Sequence, residues 1–247
     1  MDYKIKRVLI TGAAQGIGYA VAQSLSKEAL HIIISDIDQT RIDSAVTELR
    51  KECGQETLIT GTVINVADKE NVFQAVAAIE ASYGPIDGLV NNAGICYPAA
   101  PLNEISEEEW LKVFRVNVLG MINCTNAVVD GMKKQNFGKI VNMSSSSGFT
   151  GGISVSASYA VSKAGVMALT KNMAKQFGPY GINVNALSPG IIKTEMTENL
   201  EYDMSVLALR RFGERAEVAD VAAFLLARES DYLTGNTIDI NGGLYMR

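Results

Sequence analysis

Arg7-Val-Leu-Ile-Thr-Gly-Ala-Ala-Gln-Gly-Ile-Gly18 is the most informative stretch of this chain. The apolar run after Arg7 predicts a buried strand at residues 7–10. The glycines that follow let the chain turn tightly, and they let a pyrophosphate approach the backbone amides at the start of a helix. We therefore predict a phosphate-binding turn followed by a helix over residues 16–28. Its contacting residues would be Gly12, Gln15, Gly16, Ile17 and Gly18.

The same alternation of short apolar runs and longer amphipathic stretches continues along the chain. Strands are predicted at residues 7–10, 31–34, 58–63, 86–90, 139–143, 183–187 and 237–240. Helices are predicted at residues 16–28, 39–51, 68–82, 106–135 and 157–177. Such β-α-β repeats give right-handed crossovers. We expect an α/β fold, a Rossmann-type doubly wound parallel sheet of about seven strands with helices on both faces, in one domain of residues 1–247.

Two helix starts carry a recognisable capping residue. Asp68 and Ser106 each precede a helical stretch, and both residue types accept hydrogen bonds from the first amides of a helix. Glu109 follows Ser106 by three residues, a spacing that predicts a capping box in which the two residues cap each other.

Composition excludes several classes of function. The net charge is −5 and the basic doublets are isolated, so no nucleic-acid partner is expected. No apolar run reaches the roughly 18 residues of a membrane helix, so no membrane association is expected. Cys53, Cys96 and Cys124 are far apart, which argues against zinc and disulfides and favours a reducing, cytoplasmic setting. His31 is the only histidine, so a His-based triad and a metal site are not expected.

Asp36 ends the second predicted strand, 18 residues after Gly18. An acid at that place can accept hydrogen bonds from the adenosine ribose, and its charge repels the 2′-phosphate of NADP. Ile37 follows it, and no Arg or Lys occurs until Arg41. These residues predict NAD as the cofactor in preference to NADP, although a strand-end turn residue or helix N-cap would also explain Asp36.

Tyr159-Ala-Val-Ser-Lys163 places a phenol and an ammonium one helical turn apart. A free phenol has a pKa of about 10 and is a poor base at neutral pH. A cation about 5 Å away, at an effective dielectric near 20, favours the phenolate by roughly 3 kcal/mol. Such a tyrosine can exchange a proton with an alcohol oxygen, and a hydroxyl from the upstream serines at 144–147 could hold that oxygen.

Together these motifs resemble the classical short-chain dehydrogenase/reductase family over nearly the whole chain. The resemblance rests on the glycine turn, Asn65-Val66, Asn91-Asn92-Ala93-Gly94, Asn117, the serine run, Tyr159-x-x-x-Lys163, Pro189-Gly190-x-x-x-Thr194 and the C-terminal Leu233-Thr234-Gly235. It implies an oxidoreductase that transfers hydride between a nicotinamide and a carbinol carbon, with Tyr159 as acid/base, Lys163 lowering its pKa and binding the nicotinamide ribose, and Asn117 in a proton relay.

The resemblance also implies further contacts to the cofactor. Asn65 and Val66 would contact adenine. The carboxyl edge of the sheet would contribute Ile37, Asn92, Ala93, Gly94, Pro189, Gly190, Ile192 and Thr194, together with the side chains of Tyr159 and Lys163.

The substrate-positioning serine has two candidates. The family usually places it 13 residues before the tyrosine, which indicates Ser146. The family pattern of apolar-Asn-apolar-Ser-Ser-x-x-Gly instead aligns Ser145 with Gly148 at the required distance. A loop absorbs one extra residue cheaply, so we choose Ser145.

Substrate and partners are less defined by the sequence. Residues 95–101, 149–155 and 195–211 should complete a moderately apolar pocket, and the last segment is either a mobile lid or ordinary helix packing. We expect a small ketone or secondary alcohol as substrate. A 3-oxoacyl group on an acyl carrier protein is the alternative, and a non-catalytic dinucleotide-binding protein is the alternative of another class. Segments 106–135 and 157–177 resemble the family's subunit contacts, so a homotetramer is expected, with a dimer as the alternative.

Overall fold

The computed structural model describes residues 1–2, 4–28, 30–53, 56–152, 154–194 and 203–246. Within them, seven strands form one parallel sheet in the order β3-β2-β1-β4-β5-β6-β7. The strands are β1 (Arg7–Thr11), β2 (His31–Asp36), β3 (Leu58–Val63), β4 (Gly88–Asn91), β5 (Gly138–Met143), β6 (Ile182–Pro189) and β7 (Thr237–Ile240). The predicted doubly wound architecture is confirmed.

Helices connect the strands and cover both faces of the sheet. They are α1 (Gly16–Leu25), α2 (Gln39–Glu52), α3 (Lys69–Tyr83), α4 (Glu107–Phe114), α5 (Gly120–Gln135), α6 (Ser147–Thr150), α7 (Ala157–Phe177) and α8 (Arg215–Leu226). Among the described residues, none of these helices has the length and apolarity that a membrane span requires.

The alternation of side chains along β1 divides the core into two layers. Val8 and Ile10 point to the layer that contains α1, α2 and α8, whereas Leu9 points to the layer that contains α3, α5 and α7. Successive strand residues face opposite sides of a sheet, so a strand that is covered twice must be apolar at every position. This is why the strands read as continuous apolar runs.

The long predicted helix at 106–135 is present, but it contains an irregular turn. Helix α4 passes into a π-helical turn, Arg115–Leu119, and the chain continues as α5 without a break. A π turn holds one more residue than an α turn, and it commonly occurs at functional sites. Asn117 lies in this turn.

The helices differ from the sequence analysis in two ways. Helix α8 is absent from the predicted elements, because residues 221–226 are apolar at every position and so show little helical periodicity. Ser106 does accept a hydrogen bond from the Glu109 amide, at 3.1 Å. The Glu109 carboxylate, however, does not complete a capping box: it contacts the start of α7 instead.

Candidate active site

The site lies at the carboxyl edge of the sheet, where the chain order reverses. Strand β1 pairs with β2 on one side and with β4 on the other, so the connections after these strands diverge and leave a crevice. Open α/β sheets bind ligands in such crevices. The glycine turn, Asn91–Gly94 and the serine run follow β1, β4 and β5 at this edge.

The glycine turn is held in place by the end of β4. Gly12 and Gly16 have φ of +60° and +62°, a conformation that residues with a Cβ rarely adopt. The Asn92 side chain donates to the carbonyls of Thr11 and Gly12 at 3.0 and 2.8 Å. A Cβ on Gly18 would lie 2.6 Å from that same amide. Of the predicted cofactor residues, Asn92 is therefore the one whose side chain shapes the turn.

The start of α1 fits the pyrophosphate of a dinucleotide. Gln15 is the N-cap residue in extended conformation, and its side chain caps no amide. The first amides of α1 are thus left for an anion, which the helix dipole also favours. Around Gly16, a Cβ would meet no atom within 4 Å, so the space above the turn is open. Ile17 is the second residue of α1 and packs against the core layer that contains this helix.

Asp36 lies at the tip of β2, where the ribose of a bound adenosine would be placed. One carboxylate oxygen accepts from the Ile37 amide at 2.8 Å, and the Ile37 side chain is 72% exposed. The Arg41 guanidinium lies nearby and donates to the Gln15 side chain at 2.5 Å. Asp38, and not Asp36, is the N-cap of α2, so the alternative role of Asp36 as that helix cap is wrong.

Asn65 and Val66 take part in local packing. The Asn65 side chain accepts from the Ala67 amide at 3.1 Å, within the turn that leads to α3. Val66 is buried, and its carbonyl accepts from the side chain of Asn123 at 3.0 Å. An adenine contact from this pair would come from Asn65, since Asn65 is exposed.

In the turn after β6, some residues pack inside the protein and others are accessible to a ligand. A Cβ on Gly190 would lie 2.8 Å from Asn241 Cα, so glycine is required for close packing. Ile192 is only 4% exposed and belongs to the core, which leaves its backbone as the part able to contact a ligand. Pro189 is buried at the end of β6, and Thr194 is half-buried.

Lys163 is the charged group at the centre of the site. It is 4% exposed, and its Nζ donates to the carbonyl of Met143 at 2.8 Å. Burial lowers the pKa of Lys163 to about 8, so the ammonium is still mostly protonated at pH 7. The Nζ lies 5.5 Å from the centre of the Tyr159 ring, close to the separation that the helix spacing predicts.

Gly94 lies directly beside this ammonium. A Cβ on Gly94 would lie 3.4 Å from Lys163 Nζ and 3.2 Å from Asn117 Oδ1. Gly94 itself is exposed. A nicotinamide ribose passing over Gly94 would therefore reach Lys163, which is the fit that the predicted cofactor requires.

Asn117 ties three parts of the site together. Its side chain accepts from the Ile95 amide at 2.8 Å and donates to the Ile95 carbonyl at 2.9 Å. It also donates to Ser162 Oγ at 3.0 Å, and Ser162 donates to the Tyr159 carbonyl at 2.7 Å. The side chain thus positions the loop after β4 and the helix that carries Tyr159. A relay role for Asn117 stays a prediction.

The hydroxyls of the serine run at 144–147 differ in their hydrogen-bond partners. Ser144 donates to the Lys163 carbonyl at 2.8 Å and is buried. Ser145 accepts from the Ser147 amide at 3.2 Å, and among the described residues its own hydrogen has no acceptor. Gly148 packs on α7, where a Cβ would lie 2.8 Å from the Ala164 amide nitrogen. This contact explains why residue 148 is a glycine.

Four polar residues of the site, Ser162, Glu109, Asn91 and Asn142, received no catalytic or cofactor-binding role from the sequence. Ser162 lies inside the Tyr159 motif, and Glu109 was interpreted only as a cap. Asn91 donates to Asn142 Oδ1 at 2.9 Å across the β4–β5 pair, and Asn142 donates to Thr170 Oγ1 on α7 at 2.9 Å. A register alignment of two asparagines on neighbouring strands is the signal that could have indicated this pair.

The substrate side of the site is partly outside the described residues. Residue 153 and residues 195–202 of the expected pocket segments belong to that part. In the described remainder, Pro98 pairs with Val155, and Leu207 is buried near the C-terminal glycines. No group of three or more metal-ligating side chains occurs among residues that the structure describes.

This fold and this site define a Rossmann-type oxidoreductase with a tyrosine–lysine pair at the cofactor edge. A family model described as enoyl-(acyl carrier protein) reductase matches residues 12–245. The chain belongs to the short-chain dehydrogenase/reductase family. It is an enzyme that acts on CH–OH groups with a nicotinamide dinucleotide, so the non-catalytic alternative is set aside.

Individual relatives agree with this assignment over their full length. A 3-oxoacyl-[acyl-carrier-protein] reductase from Thermotoga maritima is 43% identical over 244 residues, which is 97% of each chain. Another, from Staphylococcus epidermidis, is 36% identical and covers 98% of this chain and 99% of its own. The crystal structure of a reductase of the same name from Brucella melitensis, with bound NAD, has a TM-score of 0.90 at 37% identity, covering 98% of this chain and 92% of that one.

Proposed function

We propose that this protein catalyses the reversible, NAD-linked interconversion of a ketone and a secondary alcohol, with Tyr159 as the acid/base. The observation that carries the proposal is the buried Lys163 ammonium, 5.5 Å from the Tyr159 ring and reachable from the crevice at Gly94. The dinucleotide, when bound, supplies or accepts the hydride.

The residues of the chain supply proton transfer and orientation. Tyr159 protonates the ketone oxygen in reduction and deprotonates the alcohol in oxidation. The positive charge of Lys163 favours the phenolate, and its Nζ is held by the Met143 carbonyl. Ser145 holds the substrate oxygen with the hydrogen that has no acceptor among described residues.

The preference for NAD over NADP is supported by the tip of β2. A carboxylate at Asp36 repels a 2′-phosphate, and the adjacent Ile37 offers that phosphate no charge. The Brucella melitensis structure named above contains NAD. The Arg41 guanidinium is the one nearby cation on α2, and it donates to Gln15 and lies 3.7 Å from the Asp38 carboxylate.

A 3-oxoacyl thioester is the second candidate substrate. The end-to-end similarity to 3-oxoacyl-[acyl-carrier-protein] reductases from two bacteria favours it. The carbonyl chemistry is the same, since a 3-oxoacyl group is a ketone that becomes a secondary alcohol. The two candidates differ in whether the site accepts an acyl chain attached to a carrier protein or only small ketones, diols and sugars.

A two-cofactor substrate screen tests the proposal. Purified protein is assayed with NADH and NADPH on a panel of small ketones and 3-oxoacyl thioesters, and with NAD and NADP on the matching alcohols. We expect turnover with a higher kcat/KM for NADH than for NADPH. The Tyr159→Phe variant should bind NADH with unchanged affinity and lose nearly all turnover, because it keeps the ring and lacks the transferable proton.

Two outcomes would contradict the proposal at different levels. A higher kcat/KM for NADPH would refute the interpretation of Asp36 and leave the reaction in place. Full turnover by the Tyr159→Phe variant would refute the acid/base assignment itself.

A further inference from the structure

Helix α7 carries Tyr159 in its first turn, so the way this helix begins decides where the phenol lies. Ser156 is the N-cap, and its carbonyl accepts from the Tyr159 and Ala160 amides at 3.1 and 3.2 Å. Ser156 and Ser158 are fully buried. Their hydroxyls therefore need partners inside the protein.

Both hydroxyls direct their hydrogens to one carboxylate. Ser156 Oγ and Ser158 Oγ donate to Glu109 Oε1 at 2.5 and 2.7 Å. Because a hydroxyl has a single hydrogen, donation by Ser156 leaves its lone pairs facing the Ser158 amide, which it caps at 3.4 Å. The carboxylate of Glu109 thus fixes the orientation of the cap.

Glu109 belongs to a different helix from the turn it holds. It lies in the first turn of α4, and α4 continues through the π turn into α5. Asn117 on the same continuous segment holds Ser162, one turn beyond Tyr159. The first turn of α7 is therefore held on both sides of Tyr159 from one element.

The position of the carboxylate is also favourable electrostatically. A negative charge at a helix N-terminus interacts favourably with the helix dipole, and charge-assisted hydrogen bonds are stronger than neutral ones. Burial raises the pKa of the Cys96 thiol to about 11; the charge of Lys163 lowers this pKa and the charge of Glu109 raises it. Lys112, three residues after Glu109 on α4, has its Nζ 5.9 Å from the centre of the Tyr97 ring.

We propose that Glu109 is a positioning residue for the reaction: through Ser156 and Ser158 it holds the first turn of α7 and thereby sets the Tyr159 phenol against the substrate oxygen. The kinetic part of this proposal rests on the proposed function, in which Tyr159 is the acid/base. The anchoring of the helix by Glu109 does not depend on which reaction is catalysed.

Three variants test it: Glu109→Ala, Glu109→Gln, and Glu108→Ala as the matched control. Glu108 is exposed on the same turn of α4 and contacts neither serine. Amide hydrogen exchange in the first turn of α7 reports the anchor. The kcat of ketone reduction and the dissociation constant of NADH report its consequence.

We expect faster exchange at residues 159 and 160 in Glu109→Ala and unchanged exchange in Glu108→Ala. The kcat of Glu109→Ala should fall about 10- to 100-fold, because small displacements of a reacting group are costly in rate. Its NADH dissociation constant should stay within about twofold of wild type, since no cofactor contact is removed. Glu109→Gln should recover most of the rate, because an amide oxygen can accept both hydroxyls.

Each contrary result has a distinct meaning. Wild-type exchange and wild-type kcat in Glu109→Ala would overturn the proposal. Equal losses of kcat and NADH affinity in both Glu109 variants would also overturn it, because they would indicate general unfolding. If wild type itself shows no turnover, the proposed function fails, and the exchange comparison still decides whether Glu109 holds the helix.

Discussion

At the scale of single residues, neighbouring serines in the run at 144–147 have different hydrogen-bond partners. Ser144 and Ser145 are adjacent, yet the first donates to the Lys163 carbonyl and the second accepts from the Ser147 amide at the start of α6. The serines follow the end of β5 and lead into α6, so the chain changes direction within the run and each hydroxyl has its own surroundings. The distance along the chain to Tyr159 indicates Ser146, whereas the family pattern that ends at Gly148 indicates Ser145, and the choice of Ser145 stays a prediction.

Alanine substitutions at the two serines measure this choice. We expect Ser145→Ala to lower kcat about 100-fold or more, as loss of an oxyanion-type donor does, with NADH affinity unchanged. Ser146→Ala should lower kcat less than about threefold, because the Ser146 backbone, and not its hydroxyl, bonds to Pro189 and to α6. A near-inactive Ser146→Ala beside an active Ser145→Ala would reverse the assignment.

At the scale of elements, the sequence predicts the strands and most helices well and the irregular positions poorly. The strand at 58–63 and the helix at 157–177 have the observed bounds, because apolar period and capping are local signals. The π turn around Asn117 depends on contacts with Ile95 and Ser162, which are distant in sequence. Similarly, no local pattern shows that Glu109 bonds to α7 instead of its own helix start.

Lys163 joins two elements, α7 and β5, and its charge is buried between them. The Nζ donates to the Met143 carbonyl, and Ser144 donates to the Lys163 carbonyl in return. Burial lowers the pKa of Lys163 to about 8, against about 10.5 in the unfolded chain. Below pH 8 both states are protonated, so the folded protein bears the full cost of burying the ammonium.

The Lys163→Met variant should be inactive, because it lacks the cation beside Tyr159. It should also be more stable than wild type at pH 6, because it buries no ammonium. Between pH 8 and 10.5 the unfolded state binds more protons than the folded state, so wild-type stability rises with pH relative to the variant. We expect the difference in melting temperature to be largest below pH 8 and to shrink as pH rises through this window. Thermal unfolding at pH 6, 8 and 10 measures it, and a wider gap at pH 10 would contradict the pKa assignment.

At the scale of the whole molecule, the order of strands explains why the site forms where it does. The halves β1-β2-β3 and β4-β5-β6 diverge at the β1–β4 pair, so the adenosine side and the reacting side of the crevice come from different halves. Asp36 belongs to the first half, and Lys163 follows β5 in the second. The sequence could predict this division because each half shows its own βαβ pattern. The relative placement of side chains within the crevice required tertiary contacts.

The outer surface of α4 and α7 carries apolar side chains that a lone chain would leave in water. Leu111 and Phe114, three residues apart on α4, are 58% and 46% exposed, and Val161 on α7 is 54% exposed. Exposed large apolar side chains on packed helices are typical of association surfaces. They lie on the two segments expected to make the subunit contacts, so we expect a homotetramer with a mass about four times the 26.5 kDa of the chain.

Light scattering on a charged variant tests this expectation. Aspartates at Leu111 and Phe114 would place unpaired charges in the contact, so the Leu111→Asp, Phe114→Asp double variant should fall to half the wild-type mass or less. Phe73→Asp is the matched control, because Phe73 is also partly exposed but lies on α3, away from this surface, and its mass should match wild type. A monomeric wild type, or a double variant of unchanged mass, would show that this apolar surface is not where the copies meet.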